Sequence, residues 1–351
     1  MKIIEHTIDD IEIIPKSLFK YYKFDTKYNK KRLKGEVFFS SPLKFNDPFD
    51  SQLDVENNHE KFTDEWLFKK LFELGYEEIE IKSKIKDLRK ANKGDNVVIE
   101  IQKKQLENCG ILCLSENYIS PLMWAYYTNN EGYCIEYDTK NILQDIIVGF
   151  LDEIPPYLID HLINRKNYCE QKRDYKDKPE RTKNADNLFS NFNFRNIKNN
   201  KLIDMSKDEL LYFAQNLYVK RLWGRNVEYT NDLGSVVPTL FMDKNNPIVN
   251  KKYYTKLTSW QHEKEYRLIL SLGGNKSIKI PSKTIKRVIL GSNISNENIC
   301  SLLSILNSEN SQENISICQI IIRNNDFDIS ALDLSDMLEK YNKLIKSFKG
   351  L

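Results

Sequence analysis

The 351-residue chain sets 53 Lys and Arg against 50 Asp and Glu, a net charge of +3, with 40% hydrophobic and 29% charged residues. Such a composition suits a globular protein with ample core and argues against a dedicated nucleic-acid binder, while leaving room for a local basic patch. No apolar run approaches the ~20 residues of a membrane span, and the opening Met1-Lys2-Ile3-Ile4-Glu5-His6 lacks a signal-peptide core, so a cytoplasmic protein with no membrane partner is expected.

In chain order, residues 17–24 are aromatic and extended, and residues 35–41 form a short strand stopped by Pro42. Asn46-Asp47-Pro48-Phe49-Asp50 is a turn signal, because Asn and Asp bond their own backbone and Pro48 fixes φ. A helix is expected from about Asp64, with Leu67, Leu71 and Leu74 on one stripe, and a charged, solvated helix over 82–93. Residues 110–115 spell a buried strand, 121–127 a helix of one or two turns, and 132–138 a returning strand. From Thr139 to about Leu222 the pattern is mainly helical, broken by a polar loop over 166–201. Val227-Glu228-Tyr229 is expected to resume the sheet, followed by strands within 253–272, at 285–291 and at 315–322. Ser295 is the expected N-cap of a helix reaching Leu306, and a last helix starts near Ser335. The sum is an α+β fold with a mixed or antiparallel sheet core, flanking helices and a helical insertion. It is read as one domain over 1–351, with the insertion at 139–222.

The most pointed segment is Trp260-Gln261-His262-Glu263-Lys264-Glu265-Tyr266-Arg267-Leu268-Ile269-Leu270. As one strand it would send Glu263, Glu265 and Arg267 to one face and Tyr266, Leu268 and Leu270 to the other. Neighbouring carboxylates disfavour each other's ionisation and so can divide roles, one orienting a hydroxyl and one stabilising a cationic transition state. The bland counterpart is a surface ladder in which Arg267 neutralises both glutamates. Six cysteines without a CxxC pair and only four histidines offer little for zinc or triad chemistry. His262 is expected to be structural. No GxGxxG or Walker loop is present.

Phe19-Lys20-Tyr21, residues 38–50 (FFSSPLKFNDPFD), residues 111–138 (ILCLSE, then MWAYYTNNEGYCIEYD), residues 260–268 (WQHEKEYRL) and Val288-Ile289-Leu290-Gly291 together resemble the bacterial family called domain of unknown function 2971. The resemblance runs over roughly residues 17 to 306. It implies an accessory gene of mobile or defence neighbourhoods, with an antiphage or toxin role and a neighbouring-gene protein partner.

The order of residue types is also similar to that of mono-ADP-ribosyltransferases, which carry Glu-x-Glu on a late strand, a hydroxyl or aromatic residue on a middle strand, and Arg or His on the first. Here the order is Lys20 or Tyr21, then Ser115, then Glu263-Lys264-Glu265, with Lys20 departing from Arg or His and Ser115 lacking a Ser-Thr-Ser context. That similarity implies NAD as cofactor, a nucleotide ligand and a protein or nucleic-acid target. Glu263 and Glu265 would be catalytic, with Glu265 the essential carboxylate, and Lys20, Tyr21, Ser115 and Tyr127 would bind the cofactor. Asn46, Asp47, Trp124 and Arg267 would support the site, and no metal is favoured.

Two alternatives stay open. One is a metal-dependent nuclease using Asp47, Asp50 and Glu263 with Mg²⁺ on oxygen ligands. The other is a non-enzymatic interaction or sensor protein in which the same motifs determine the fold, with Phe49 plugging the core and Trp124 buried within it. Lys251, Lys252, Lys256 and Lys264 with Tyr253 and Tyr254 make a basic, aromatic stretch expected to be mostly a solvated face.

Overall fold

The computed structural model describes residues 15–51, 54–55, 63–65, 67–68, 78–90, 103, 106–151, 222–233, 235–236, 247–270, 273–281, 284–307, 315–322 and 329–333. The strands are β1 (Ser17–Tyr22), β2 (Glu36–Phe39), β3 (Asp54–Val55), β4 (Gly110–Ser115), β5 (Tyr133–Asp138), β6 (Leu222–Asn226), β7 (Glu228–Thr230), β8 (Ser235–Val236), β9 (Thr255–Leu257), β10 (Glu265–Leu270), β11 (Lys276–Lys279), β12 (Ile285–Leu290), β13 (Ser316–Ile322) and β14 (Ile329–Asp333). The α-helices are α1 (Asn29–Leu33), α2 (Glu78–Lys90), α3 (Pro121–Thr128), α4 (Thr139–Leu151), α5 (Pro247–Tyr254) and α6 (Asn296–Asn307). Eight strands form one sheet in the order β14-β13-β12-β5-β1-β4-β10-β6. Every pairing in it is antiparallel except β12 with β13. The fold is α+β, as the sequence predicts.

The sheet is covered on both faces, and strand alternation decides what each face meets. Leu112, Leu114, Leu268 and Leu270 enter the main core with Ile142, Ile146 and Phe150 of α4 and Leu302 and Leu306 of α6. Ile111 and Ile269 point the other way, onto Val249, Tyr253 and Tyr254 of α5. Beside them Phe19, Tyr21 and Cys134 pack on Met123 and Trp124 of α3. All six residues of β10 are therefore buried, Glu265 and Arg267 included.

Local signals fix the short elements near the site. The Ser120 hydroxyl accepts from the Met123 amide and Pro121 supplies the first turn of α3, while Asn129 ends the helix in the left-handed region at φ 56°. A Cβ on Gly132 would stand 2.1 Å from the Tyr22 carbonyl oxygen, so only glycine lets the chain re-enter the sheet there. Ser295 caps α6 as expected, accepting from the Asn298 amide.

Three expectations are corrected. Residues 260–270 are not one strand: Thr258–Glu263 is a 3₁₀ helix, and β10 begins only at Glu265. Lys264, at φ 41°, makes the break. Val227-Glu228-Tyr229 does not resume the main sheet, because β6 does so earlier and β7 pairs with β9 in a separate parallel ribbon. Phe49 plugs nothing, being 60% exposed. Of the helix near Asp64 only fragments are described, with Leu67 buried. The polar loop over 166–201, the insertion beyond residue 151 and the helix from Ser335 lie outside the described residues.

Candidate functional site

The site begins at a parting of the sheet. β1 runs in register with β5 along its whole length, but it meets β4 only at Phe19 and Ser115. Farther along, the same edge of β4 is taken by Ser40, which pairs with Ile111. Between those two points lies Cys113, whose carbonyl accepts the Lys20 ammonium at 2.7 Å. A lysine side chain thus substitutes for the missing ladder bond. Around this parting a cleft of about 740 Å³ is lined by β1, β2, β4, α1, α3 and the 3₁₀ helix, within the size range of small-molecule sites.

One end of the cleft is built on buried charge. Lys256 Nζ lies 2.6 Å from Glu263 Oε2, 3.3 Å from Glu265 Oε2 and 3.6 Å from Asp50 Oδ2. Behind it Arg267, fully buried, grips both Asp50 oxygens and donates Nε to Glu265 Oε1 at 2.8 Å. Arg267 Nη1 also donates to the Tyr253 carbonyl at 2.7 Å. Three carboxylates thus face two cations, none of the five more than 5% exposed. Removing so many charges from water is costly unless each is paired and hydrogen-bonded, and here each is.

The two glutamates differ sharply. Burial would raise the Glu265 carboxyl, but Arg267 and Lys256 outweigh burial and hold it well below the ordinary carboxylate range. Burial also raises Glu263, and there Lys256 does not make up the difference, so its carboxyl sits above the ordinary range. Glu263 Oε1 accepts the Tyr127 hydroxyl, whose own proton is held more tightly by burial and by the facing carboxylate. Two adjacent carboxyls with pKa values pushed apart supply a fixed anion and a proton-exchanging group.

The backbone holds this geometry. Ser115 Oγ donates to the Glu263 carbonyl at 2.6 Å, and the Tyr229 hydroxyl accepts from the Glu265 amide at 2.8 Å. The left-handed turn at Lys264 brings Glu263 back beside Glu265, so the pair meets over Lys256 although only one of the two is on a strand.

Residues 123–268 match the family described as Protein of unknown function (DUF2971). Over that segment the chain is similar to the DUF2971 family. No curated protein and no solved structure matches the chain. The DUF2971 segment contributes Trp124, Tyr127, Lys256, Glu263, Glu265 and Arg267, whereas Lys20, Tyr21, Asn46, Asp47, Asp50 and Ser115 come from the chain before it.

Most residues expected at the site are brought together. Lys20, Tyr21, Asn46, Ser115, Tyr127, Glu263 and Glu265 all border the cleft. Trp124 lies behind it, its ring edge-on to Tyr21 at 5.2 Å and its Nε1 donating to the Tyr118 carbonyl. Several expected roles change. Ser115 is committed to the Glu263 backbone rather than available to a cofactor, and the Tyr21 hydroxyl is likewise spent on the Asn117 carbonyl at 2.8 Å. Asp47 is not among the cleft residues; its Oδ1 accepts from the Phe49 amide and rigidifies the turn that delivers Asp50. Arg267 stands behind the glutamates and does not border the cleft.

Lys256 is the substantial miss, and Asp50 enters the sequence reading only as a ligand of the nuclease alternative. Lys252 and Lys256 are not a solvated face but are 5% and 4% exposed. The readable signal for Lys256 is a lysine between Thr255 and Leu257 in a short strand just ahead of two acids.

Proposed function

We propose that the cleft is an ADP-ribosyltransferase-like site in which NAD is consumed as a substrate and Glu263 is the group that faces the reacting ribose. The observation that carries this reading is that Glu263 and Glu265 border one cleft together with Lys20 and Tyr127. In such chemistry the C1′–N bond breaks and nicotinamide leaves with the electron pair, becoming neutral. The ribose passes through an oxocarbenium-like state, and an acceptor lone pair forms the new bond at C1′. The acceptor's proton then goes to a nearby base. Glu263, with its carboxyl above the ordinary range, suits that base, since proton-transfer groups work best with a pKa near the working pH. Glu265 suits a different role, because it stays ionised and fixes a negative field where positive charge develops. This reverses the ranking expected from sequence, in which Glu265 is the essential carboxylate and Glu263 its partner.

The metal-dependent nuclease draws less support. Its cation would have to sit among Asp50 and the glutamates, where the Lys256 ammonium already stands. Among the described residues no three His, Cys, Asp or Glu gather as a metal-holding group.

Purified protein incubated with NAD and lysate, with and without Mg²⁺, tests the proposal through nicotinamide release and ADP-ribose adducts read by mass spectrometry. Release that falls by about two orders of magnitude in Glu263→Gln is the expected outcome for loss of a general base. No release from folded wild type, or full activity in Glu263→Gln, overturns it.

A further inference from the structure

The charges of the cleft are not distributed evenly. Residues 20–44 hold eight Lys and Arg against two Asp and Glu, a net charge of +6 in a chain whose total is +3. The fold turns that stretch into one wall. Lys23, Lys31, Arg32 and Lys44 all border the cleft, while the carboxylates Glu263, Glu265 and Asp50 border it elsewhere. Lys23 and Lys44 are exposed and have no ion-pair partner among the described residues. Among the described residues Lys31 has one ion-pair partner, the partly exposed Glu36, at 3.7 Å.

Arg32 is the fixed point of this wall. Its guanidinium lies over the Tyr22 ring at 4.5 Å and over the Tyr28 ring at 5.5 Å, and Nη1 donates to the Lys23 carbonyl. A stacked, planar cation keeps its remaining N–H groups in a set direction, the arrangement suited to phosphate oxygens. Tyr28 and Phe38 border the same cleft and are 40% and 45% exposed; Lys27 and Arg32 lie over the Tyr28 ring, and Phe38 presents ring surface beside the cations. Rings next to free cations suit a ligand carrying both a base and a phosphate.

We infer that Lys23, Lys31, Arg32 and Lys44 form a phosphate-binding wall, so that the ligand of this cleft carries phosphate groups at one end while its other end reaches Glu263. The inference rests on the glycosyl-transfer reading only for the placement of that second end. Phosphate of this kind comes either from a free dinucleotide or from a single-stranded nucleic acid.

The test is direct binding to the full-length protein, measured by calorimetry with pyrophosphate, ADP-ribose and ribose, and by fluorescence anisotropy with a short labelled single-stranded DNA. Lys23→Glu/Lys44→Glu is compared with wild type and with Lys140→Glu, the same Lys→Glu exchange made at one exposed residue of α4. Both altered lysines are exposed, so circular dichroism should show an unchanged fold. We expect pyrophosphate or ADP-ribose to bind in a salt-dependent way, ribose alone not to bind, and the double variant to weaken binding by about tenfold or more, since each lost phosphate contact also lowers the salt dependence. Competition of ADP-ribose with DNA would identify nucleic acid as the source, and ADP-ribose binding without DNA binding would identify the free nucleotide. No phosphate compound binding to wild type, or equal weakening by Lys140→Glu, overturns the inference. NAD turnover that survives Lys23→Glu/Lys44→Glu with an unchanged KM would remove the wall and leave the Glu263 reading standing. Phosphate binding lost in the double variant, with no NAD turnover in wild type, would do the reverse.

Discussion

Two arginine–carboxylate assemblies sit on the same sheet, one on each side of β1, and they obey different rules. On the β10 side Arg267 joins Asp50, Glu265, Glu263 and Lys256 in a sealed cluster. On the β5–β12 side Arg287 donates Nε to Glu136 at 2.7 Å, and the Ser17 hydroxyl completes the carboxylate at 2.8 Å. There the side chains of Arg287 and Glu136 are still 22% and 13% exposed. Water can repair the second assembly when a partner is lost, whereas the first meets water only at the few per cent of its surface that borders the cleft. The sealed cluster therefore needs five groups in mutual support, whereas the half-open one gets by with three. Preorganised charge of the first kind is what an active site needs, because its groups do not have to reorient when charge develops.

The sharpest way to break the contrast is Arg267→Leu. It strands Asp50 and Glu265 in the interior with only Lys256 nearby, and the expected loss is about 3–5 kcal/mol, typical of removing one member of a buried ion pair. Denaturant unfolding at neutral pH measures it. The pH dependence carries a sign that can be worked out. The folded carboxyl of Glu265 lies below its unfolded value, so its contribution is present above the unfolded pKa of about 4.3 and is lost as pH falls through the depressed folded value. Wild type should weaken steeply in acid, and Arg267→Leu should flatten that slope. A loss below about 1 kcal/mol would mean that water reaches the cluster after all.

Lys256→Met comes next and separates the two glutamates. Arg267 still neutralises Glu265 and Asp50, so the burden falls on Glu263, which keeps only the Tyr127 hydroxyl. Its carboxyl, already above the ordinary range, should rise further. Its protonated fraction is larger at pH 5 than at pH 8, so the native state bears the smaller penalty at the lower pH. As pH climbs through the folded value, the unpaired carboxylate destabilises the fold, so the loss should grow towards roughly 2 kcal/mol by pH 8. Unfolding curves for wild type and variant at those two pH values give the difference. A loss independent of pH would assign the role of Lys256 to packing, against the Trp260 ring 4.8 Å away.

How much of this is legible in the sequence follows the range of the interactions. β4, β5, β12 and the start of α3 are written locally, in apolar runs, in Gly132, and in Ser120 followed by Pro121. The Glu263 and Glu265 pair is also visible, but for a reason that does not hold. Two-residue alternation on a strand would align them, whereas the left-handed backbone at Lys264 is what does so. No residue type there announces that turn, because lysine rarely adopts such a φ. The bond between Asp50 and Arg267 spans 217 positions and belongs to the tertiary fold alone. Lys256 stands only seven residues from Glu263, yet burying a lysine is not expected without knowledge of the carboxylates that surround it. The parting of β1 from β4 has no sequence signature at all, since each strand reads as a complete one.

The smallest expected effect lies on the half-open side and completes the contrast. Arg287→Met should cost no more than about 1 kcal/mol, since a partly exposed pair is worth little and is screened by salt. Two contributions can be told apart there. The guanidinium rests over the Tyr118 ring at 4.7 Å, and Tyr118 in turn packs on Phe19 at 5.1 Å. The Coulombic part should vanish in about 1 M salt, where the Debye length is only ~3 Å, while the contact of the side-chain stem with the ring persists. Thermal unfolding of wild type and Arg287→Met at low and high salt measures both. A difference that closes with salt makes the pair an ordinary surface bridge. One that stays open makes Arg287 a brace for Phe19, the β1 residue whose register with Ser115 sets where the strands part. In that case the half-open assembly would shape the cleft from behind, and damage there should reach the cleft without touching a buried charge.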